Sequence, residues 1–255
     1  LGLLSFAAPA KAVASTPGFP VARYVAPVYP IPLRKPQSDG GVLTTGTASA
    51  LIDGKSGTVL FTKGGHDPLP IASITKLMTA MVVLDSGVSL DEAIVFTKED
   101  EPNEWRVVIG AGETLTRREV LQALLIGSVN SAGNALARTS PDGSEAFIEA
   151  MNKKAGELGL ASAHFSDATG LSRANVASAL DVASMVRQAM FYHDIREITK
   201  TTSVELKGKT GKAYKIQSTN LLLSSFLNKK PYTILAGKTG SLPEAGFCFA
   251  QAVQD

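Results

Sequence analysis

Three short groups of residues have types and spacings that could do chemistry: Ser73-Ile74-Thr75-Lys76, Ser128-Val129-Asn130 and Lys238-Thr239-Gly240. Around the first, no helix breaker intervenes between Pro70 and Gly87, and apolar residues crowd every side from Ile71 to Leu84. The segment therefore reads as a buried helix entered at Ala72 or Ser73. Ser73 and Lys76 are three apart, which stacks them on one helix face, with the hydroxyl in the first turn, where free N–H groups and the dipole favour negative charge. A serine beside an amine drawn out of water describes a nucleophile with its base. Ser-x-x-Lys alone is common by chance, so the other two groups and the elements that position all three must decide.

The elements follow from composition and punctuation. A chain of 255 residues with an apolar fraction of 44% can bury a sizeable core as one large or two small domains. A formal charge of +2 with scattered basic residues points neither to nucleic acid nor to an anionic membrane surface. The single cysteine, Cys248, has no disulfide partner and reads as core in the apolar run Phe247-Cys248-Phe249. His66, His164 and His193 are dispersed, without metal-ligand spacing, so neither a metal nor a cofactor is expected. Trp105 and Arg106 suit the rim of a substrate cleft and ordinary packing equally well.

Residues 1–14 are apolar and end in Ala10-Lys11-Ala12 and Ala12-Val13-Ala14, either of which fits a signal-peptide cleavage site. They read as a signal remnant and imply export, the competing reading being a disordered N-terminus. No long apolar run follows that would cross a membrane. Residues 15–47 hold six of the thirteen prolines and read as an extended tether or surface lid. Folding begins at Ala48, with strands Ala48 to Asp53 and Thr58 to Thr62 about the turn Gly54-Lys55-Ser56-Gly57.

After the Ser73 helix, Thr116-Arg117-Arg118-Glu119 is a capping box ahead of a helix that runs out at Gly127. Further helices are expected from Ser131 or Ala132 to Arg138, from Ser144 to Leu158 and from Ala179 to Tyr192. A polar hairpin over Ser203 to Gln217 and two buried strands, Tyr232 to Ala236 and Gly246 to Val253, complete the chain. The order predicts an α+β fold over 48–255, with a helical lobe of about 77–195 inserted between the strands of an antiparallel sheet. Ser128 falls in a break between helices and Lys238 at the end of a buried strand. The apolar last strand calls for a covering element, so a C-terminal truncation is expected.

The three groups, in this order, resemble the signature of penicillin-binding proteins and class A β-lactamases. From Ala48 to Val253 the sequence resembles the low-molecular-mass serine-type D-Ala-D-Ala peptidases, also through His164-Phe165-Ser166-Asp167-Ala168-Thr169-Gly170-Leu171 and Ser218-Thr219-Asn220-Leu221-Leu222. Phe147 to Asn152 and Ile195 to Ile198 resemble the D-alanyl-D-alanine endopeptidase branch in particular. The resemblance implies a β-lactamase/transpeptidase-like fold and an exported, periplasmic enzyme acting on peptidoglycan stem peptides or cross-links, with β-lactams as covalent inhibitors.

It also implies roles. Ser73 would form the acyl-enzyme and Lys76 would take its proton, as an amine whose pKa is depressed by burial and by Lys238. Ser128 would relay a proton to the leaving amine, and Asn130 would hold Lys76 and the substrate amide. Lys238 and Thr239 would bind the substrate carboxylate, with Gly240 leaving room for a peptide, and the N–H groups of Ser73 and Ser241 would form the oxyanion hole.

Three alternatives stand beside this reading. A β-lactamase of class A adds a glutamate for deacylation, and His164 to Gly170 offers only Asp167, where related sequences often carry asparagine. A phosphate loop fails because Ser203 and Tyr232 stand where its first glycine is required. A non-catalytic cell-wall binding protein is the third. The second Lys-Thr-Gly, Lys209-Thr210-Gly211, lies in a lysine-rich turn with no buried strand feeding it and is read as a decoy.

Overall fold

Two terminal hairpins bracket a helical lobe in the computed structural model, which describes Pro32 and residues 43–103 and 107–254. The expected signal remnant, most of the proline-rich tether, and Trp105 and Arg106 lie outside the described residues. Strands β1 (Ser49–Ile52) and β2 (Val59–Lys63) pair antiparallel. Their turn is closed by the Asp53 carboxylate, which accepts from the Ser56 N–H and hydroxyl, both at 2.6 Å. The short strand β3 (Leu69–Pro70) leads through a 3-10 turn, Ala72–Ile74, into helix α1 (Thr75–Asp85).

Strands β4 (Ala93–Val95) and β5 (Thr114–Thr116) form a ribbon that feeds α2 (Arg117–Ile126), followed by α3 (Asn130–Arg138) and α4 (Gly143–Glu157). The capping box is in place: Thr116 Oγ1 accepts from the Glu119 N–H at 3.3 Å, and the Glu119 carboxylate accepts from the Thr116 N–H at 2.7 Å. Strand β6 (Val176–Ala177) returns to β3, and α5 (Ala179–Ala189) and α6 (His193–Thr199) close the lobe. Hairpins β7 (Ser203–Lys207) with β8 (Ala213–Gln217), and β9 (Thr233–Leu242) with β10 (Gly246–Gln254), follow. Among the described residues no helix is long and apolar enough to cross a membrane.

Helix α1 is the hub. Every residue from Thr75 to Val83 is buried, and α2 to α6 all pack against it. A helix apolar on all sides has no solvent face, so it must be surrounded, and the lobe is the surround. Helix α5 lies under both β1 and β10, one strand from each of two separate two-stranded ladders.

Three details differ from the sequence reading. The expected helix to Tyr192 stops at Ala189 and a separate α6 begins at His193, because Ile195 and Ile198 bury a stripe too short to show as a period. Strand β9 runs on to Leu242, so Lys238-Thr239-Gly240 sits inside the strand rather than at its end. The pairs Lys238↔Ala250 and Gly240↔Cys248 carry the ladder across it. Strand β10 is buried on one face only: Cys248 is half-buried, while Phe247 is 97% and Phe249 52% exposed.

The second Lys-Thr-Gly closes the β7–β8 turn and grips Glu113 just before β5. The buried Glu113 carboxylate accepts from Thr210 Oγ1 at 2.6 Å, Tyr214 Oη at 2.9 Å and the Thr114 N–H at 2.9 Å. A Cβ on Gly208 would stand 2.0 Å from the Glu113 carboxyl carbon, so only glycine admits this approach. From β8 the chain continues to Thr219, whose N–H donates to the Ile126 carbonyl at the end of α2. The hairpin is thereby fixed to the helix end from which Ser128 projects. Glu113→Ala is expected to lower stability by about 2–3 kcal/mol through the orphaned donors, read as a shift in the urea midpoint; an unchanged midpoint would mean that the hairpin is held by other contacts.

Candidate active site

The 3-10 turn and the first turn of α1 place Ser73 and Lys76 on one face, as their spacing requires. Lys76 is fully buried, and its Nζ donates to Ser73 Oγ at 2.7 Å, to Asn130 Oδ1 at 2.6 Å and to the Thr169 carbonyl at 2.5 Å. Two of those oxygens, an amide and a peptide carbonyl, can only accept. When the amine is neutral it has two N–H groups and one lone pair, and the two obligate acceptors take the N–H groups. The lone pair is then left facing Ser73, whose hydroxyl can reverse and donate. The surroundings thus aim the base at the nucleophile.

The backbone here is strained. Among the described residues only Ala72 (φ 47°) and Ser128 (φ 56°) are non-glycine residues with positive φ, a conformation that costs about 1–2 kcal/mol for an L-residue. One immediately precedes the nucleophile and the other is the serine of the second group. Neither can be read from residue type, since both positions ordinarily favour glycine or asparagine.

Ser128 Oγ accepts from Lys238 Nζ at 2.8 Å, and the same amine donates to the Thr239 carbonyl at 2.7 Å. Lys238 is 1% exposed. Burial pushes its pKa down to about 7, and no carboxylate pairs with it among the described residues. A buried cation whose contacts are neutral oxygens is a site prepared for an anion. Thr239 Oγ1 is hydrogen-bonded to Thr219 Oγ1 at 2.6 Å.

Gly240 lies against the nucleophile turn, where an added Cβ would be 2.9 Å from Ser73 N and 3.1 Å from the Ile71 carbonyl oxygen. The glycine therefore lets β9 dock on Ser73 itself, a closer constraint than room for a ligand. Ser241 follows it and is exposed.

Ser73, Lys76, Asn130 and Gly240 are thus brought together, and Ser128, Lys238 and Thr239 adjoin them through Asn130 and β9. Sequence reasoning assigned no role to Thr219 or to the Thr169 carbonyl; a backbone oxygen carries no residue-type signal. Among the described residues no three His, Cys, Asp or Glu side chains gather as a metal site. Asp167 is occupied elsewhere. Its Oδ1 accepts from the Thr169 N–H, the Thr169 hydroxyl and the Gly170 N–H, and its Oδ2 from the Ser172 N–H, at 2.6–2.8 Å. So engaged, the carboxylate is poorly suited to activate a hydrolytic water, which weighs against the β-lactamase alternative.

Comparison with known proteins gives a consistent likeness. Residues 39–255 match a family described as D-alanyl-D-alanine carboxypeptidase. A D-alanyl-D-alanine endopeptidase of Pseudomonas aeruginosa is 35% identical over 222 residues, 86% of this chain and 68% of that protein. A D-alanyl-D-alanine endopeptidase of Escherichia coli is 32% identical over 79% of this chain and 64% of its own length. A D-alanyl-D-alanine carboxypeptidase of Bacillus subtilis is 32% identical over 81% and 54%. The chain thus spans between about half and two thirds of the length of these relatives. Among solved structures, a Streptomyces DD-transpeptidase superposes with a TM-score of 0.73 at 30% identity, over 84% of this chain and 88% of that one. A D-alanyl-D-alanine carboxypeptidase of Mycobacterium tuberculosis gives 0.75 at 28%, over 85% and 82%.

Lys238 provides a test of the site's electrostatics. Its folded pKa of about 7 lies below the ordinary lysine value of 10.5, so between those values the unfolded chain binds more protons and stability rises with pH. Lys238→Met removes the cost of the buried charge. It is expected to stabilise the fold by about 1–4 kcal/mol at pH 6, with the gain shrinking as the pH is raised to 9 in thermal melts. A gain that does not change with pH would contradict the unpaired buried ammonium.

Proposed function

The chain belongs to the D-alanyl-D-alanine carboxypeptidase family, and on that premise we propose that it is an exported serine peptidase cleaving D-alanyl bonds of peptidoglycan through an acyl-enzyme on Ser73. The observation that carries the reading is the buried Ser73–Lys76 pair with its amine aimed by Asn130 and Thr169. Lys76 in its neutral form takes the Ser73 proton as Oγ attacks the D-alanine carbonyl. The N–H groups of Ser73 and Ser241 receive the developing oxyanion. Ser128 delivers its hydroxyl proton to the departing amine and takes a replacement from the Lys238 ammonium that donates to it, while the Ser73 proton rests on Lys76.

The substrate carboxylate sits on Lys238 and Thr239. Because burial brings the Lys238 pKa down to about 7, an arriving carboxylate holds the proton on the amine, and recognition weakens as the pH rises above about 7. Asn130 faces the substrate amide while holding Lys76. Export follows from the substrate, which lies outside the cytoplasmic membrane, and agrees with the small-residue cleavage pattern near the N-terminus. Endopeptidase action on cross-links is favoured over carboxypeptidase action by the runs at Phe147 to Asn152 and Ile195 to Ile198 and by the endopeptidase relatives.

Labelled penicillin is expected to acylate Ser73, and Lys76→Ala to lower the acylation rate by about a hundredfold or more while melting as the parent does. A peptide map with the label elsewhere, or a variant reacting at the parent rate, would refute the mechanism. Digestion of cross-linked muropeptides and of free pentapeptide, with the products identified by mass, separates the two activities: release of monomers from cross-links is the expected result, and release of D-alanine alone would establish the carboxypeptidase.

A further inference from the structure

The loop from Ser166 to Ser172 contributes a backbone carbonyl to the base, and its own anchor is a carboxylate to which the proposed mechanism gives no task. We propose that Asp167 is a positioning residue for acylation: by gathering the N–H groups of Thr169, Gly170 and Ser172 it holds the Thr169 carbonyl against Lys76, and so fixes the direction of the lone pair that Ser73 meets. The inference rests on the reading that Ser73 is acylated with Lys76 as its base.

The geometry is specific. Asp167 Oδ1 takes three donors, at 2.6 Å from the Thr169 N–H, 2.8 Å from the Thr169 hydroxyl and 2.6 Å from the Gly170 N–H, and Oδ2 takes the Ser172 N–H at 2.7 Å. Burial pushes the carboxyl pKa up, but the Ser172 and Thr169 donors and the Gly170 N–H more than offset it, so the group stays ionised.

The loop it folds is wedged between two helices. The Ala168 carbonyl accepts from Thr79 Oγ1 on α1 at 2.7 Å, one helical turn beyond Lys76. On the other side an added Cβ at Gly133 of α3 would come within 2.9 Å of Thr169 Cγ2 and 3.0 Å of the Ala168 carbonyl oxygen. At Gly170 (φ 82°) an added Cβ would stand 2.0 Å from the Ala72 carbonyl oxygen and 2.9 Å from Ser73 N. The loop therefore touches the strained turn before the nucleophile as well as the base. Asn175, fully buried, accepts from the Ser166 and Asp167 N–H groups at 2.6 and 3.2 Å and pins the entrance.

What Asp167 sets is a direction rather than a binding surface. Removing it frees the Thr169 peptide to turn, after which the amine is no longer compelled to spend its N–H groups away from Ser73. Pre-covalent recognition through Lys238 and Thr239 lies on β9 and is untouched. The expected signature is a loss confined to the chemical step.

The test is stopped-flow acylation of the full chain by benzylpenicillin, resolving the pre-covalent Kd from the acylation constant k2, with thermal melts alongside. Asp167→Ala is expected to lower k2 about thirtyfold or more with Kd within about threefold of the parent. Asp167→Asn keeps the acceptor of Oδ1 and turns an amide toward the Ser172 N–H, so k2 should fall about three- to tenfold, again with Kd unchanged. If the alanine variant does not fold, the asparagine variant decides by the same criterion. A parent chain that penicillin does not acylate overturns the underlying reading and this inference with it. A parent that is acylated while the folded variants match its k2, or lose Kd and k2 together, overturns the positioning role alone.

Discussion

The amine of Lys76 sits out of water among three oxygens, and much of the structure serves to deliver those oxygens to it. A lysine in an apolar helix cannot be left without partners, so the elements around α1 are constrained to bring acceptors from far along the chain. Asn130 comes from the first residue of α3, Thr169 from the loop after α4, and Ser73 from the turn that starts α1. Losing Asn130 or the Thr169 carbonyl would remove an acceptor that the buried amine faces. The same requirement explains why the site is built on rigid packing: α1 is enclosed by α2 to α6, and a small displacement of one would break a bond to the amine.

Strain is concentrated where the chemistry is proposed. Ala72 and Ser128 adopt left-handed backbone conformations, and glycines allow the neighbouring chain to press on both places: Gly240 and Gly170 against the Ser73 turn, and Gly127 beneath Ile216 of β8. Such conformations persist when the surroundings over-determine them. Here the surroundings include the hairpin anchored by Glu113, an element that carries none of the proposed chemistry. The second Lys-Thr-Gly thus has a structural reason for its threonine and for the glycine before its lysine, quite different from that of the group in β9.

Much of this was legible in the sequence. The spacing of Ser73 and Lys76, the apolar run around them and the capping box at Thr116 report local physics, and local physics survives into the fold. The three groups also announced which residues would meet, because their order and context resemble a known family. Other features were hidden for physical reasons. Positive φ at Ala72 and Ser128 is imposed by tertiary packing against the residues' own preference. The Thr169 carbonyl is backbone and has no letter. The reach of β9 to Leu242 is set by its ladder with β10, and two glycines within it read as an end when pairing is unknown. The outward turn of Phe247 and Phe249 follows from which face of β10 meets α5, a choice that an apolar run does not encode.

The most direct test of the account is a crystal structure of the chain after reaction with benzylpenicillin. The account predicts a covalent bond from Ser73 Oγ to the opened lactam carbon, its carbonyl oxygen within hydrogen-bond distance of the Ser73 and Ser241 N–H groups, Lys76 still held by Asn130 and the Thr169 carbonyl, and the drug's carboxylate on Lys238 and Thr239. An adduct on another residue, or a carboxylate lying elsewhere with Lys238 still turned only to Ser128 and the Thr239 carbonyl, would contradict it.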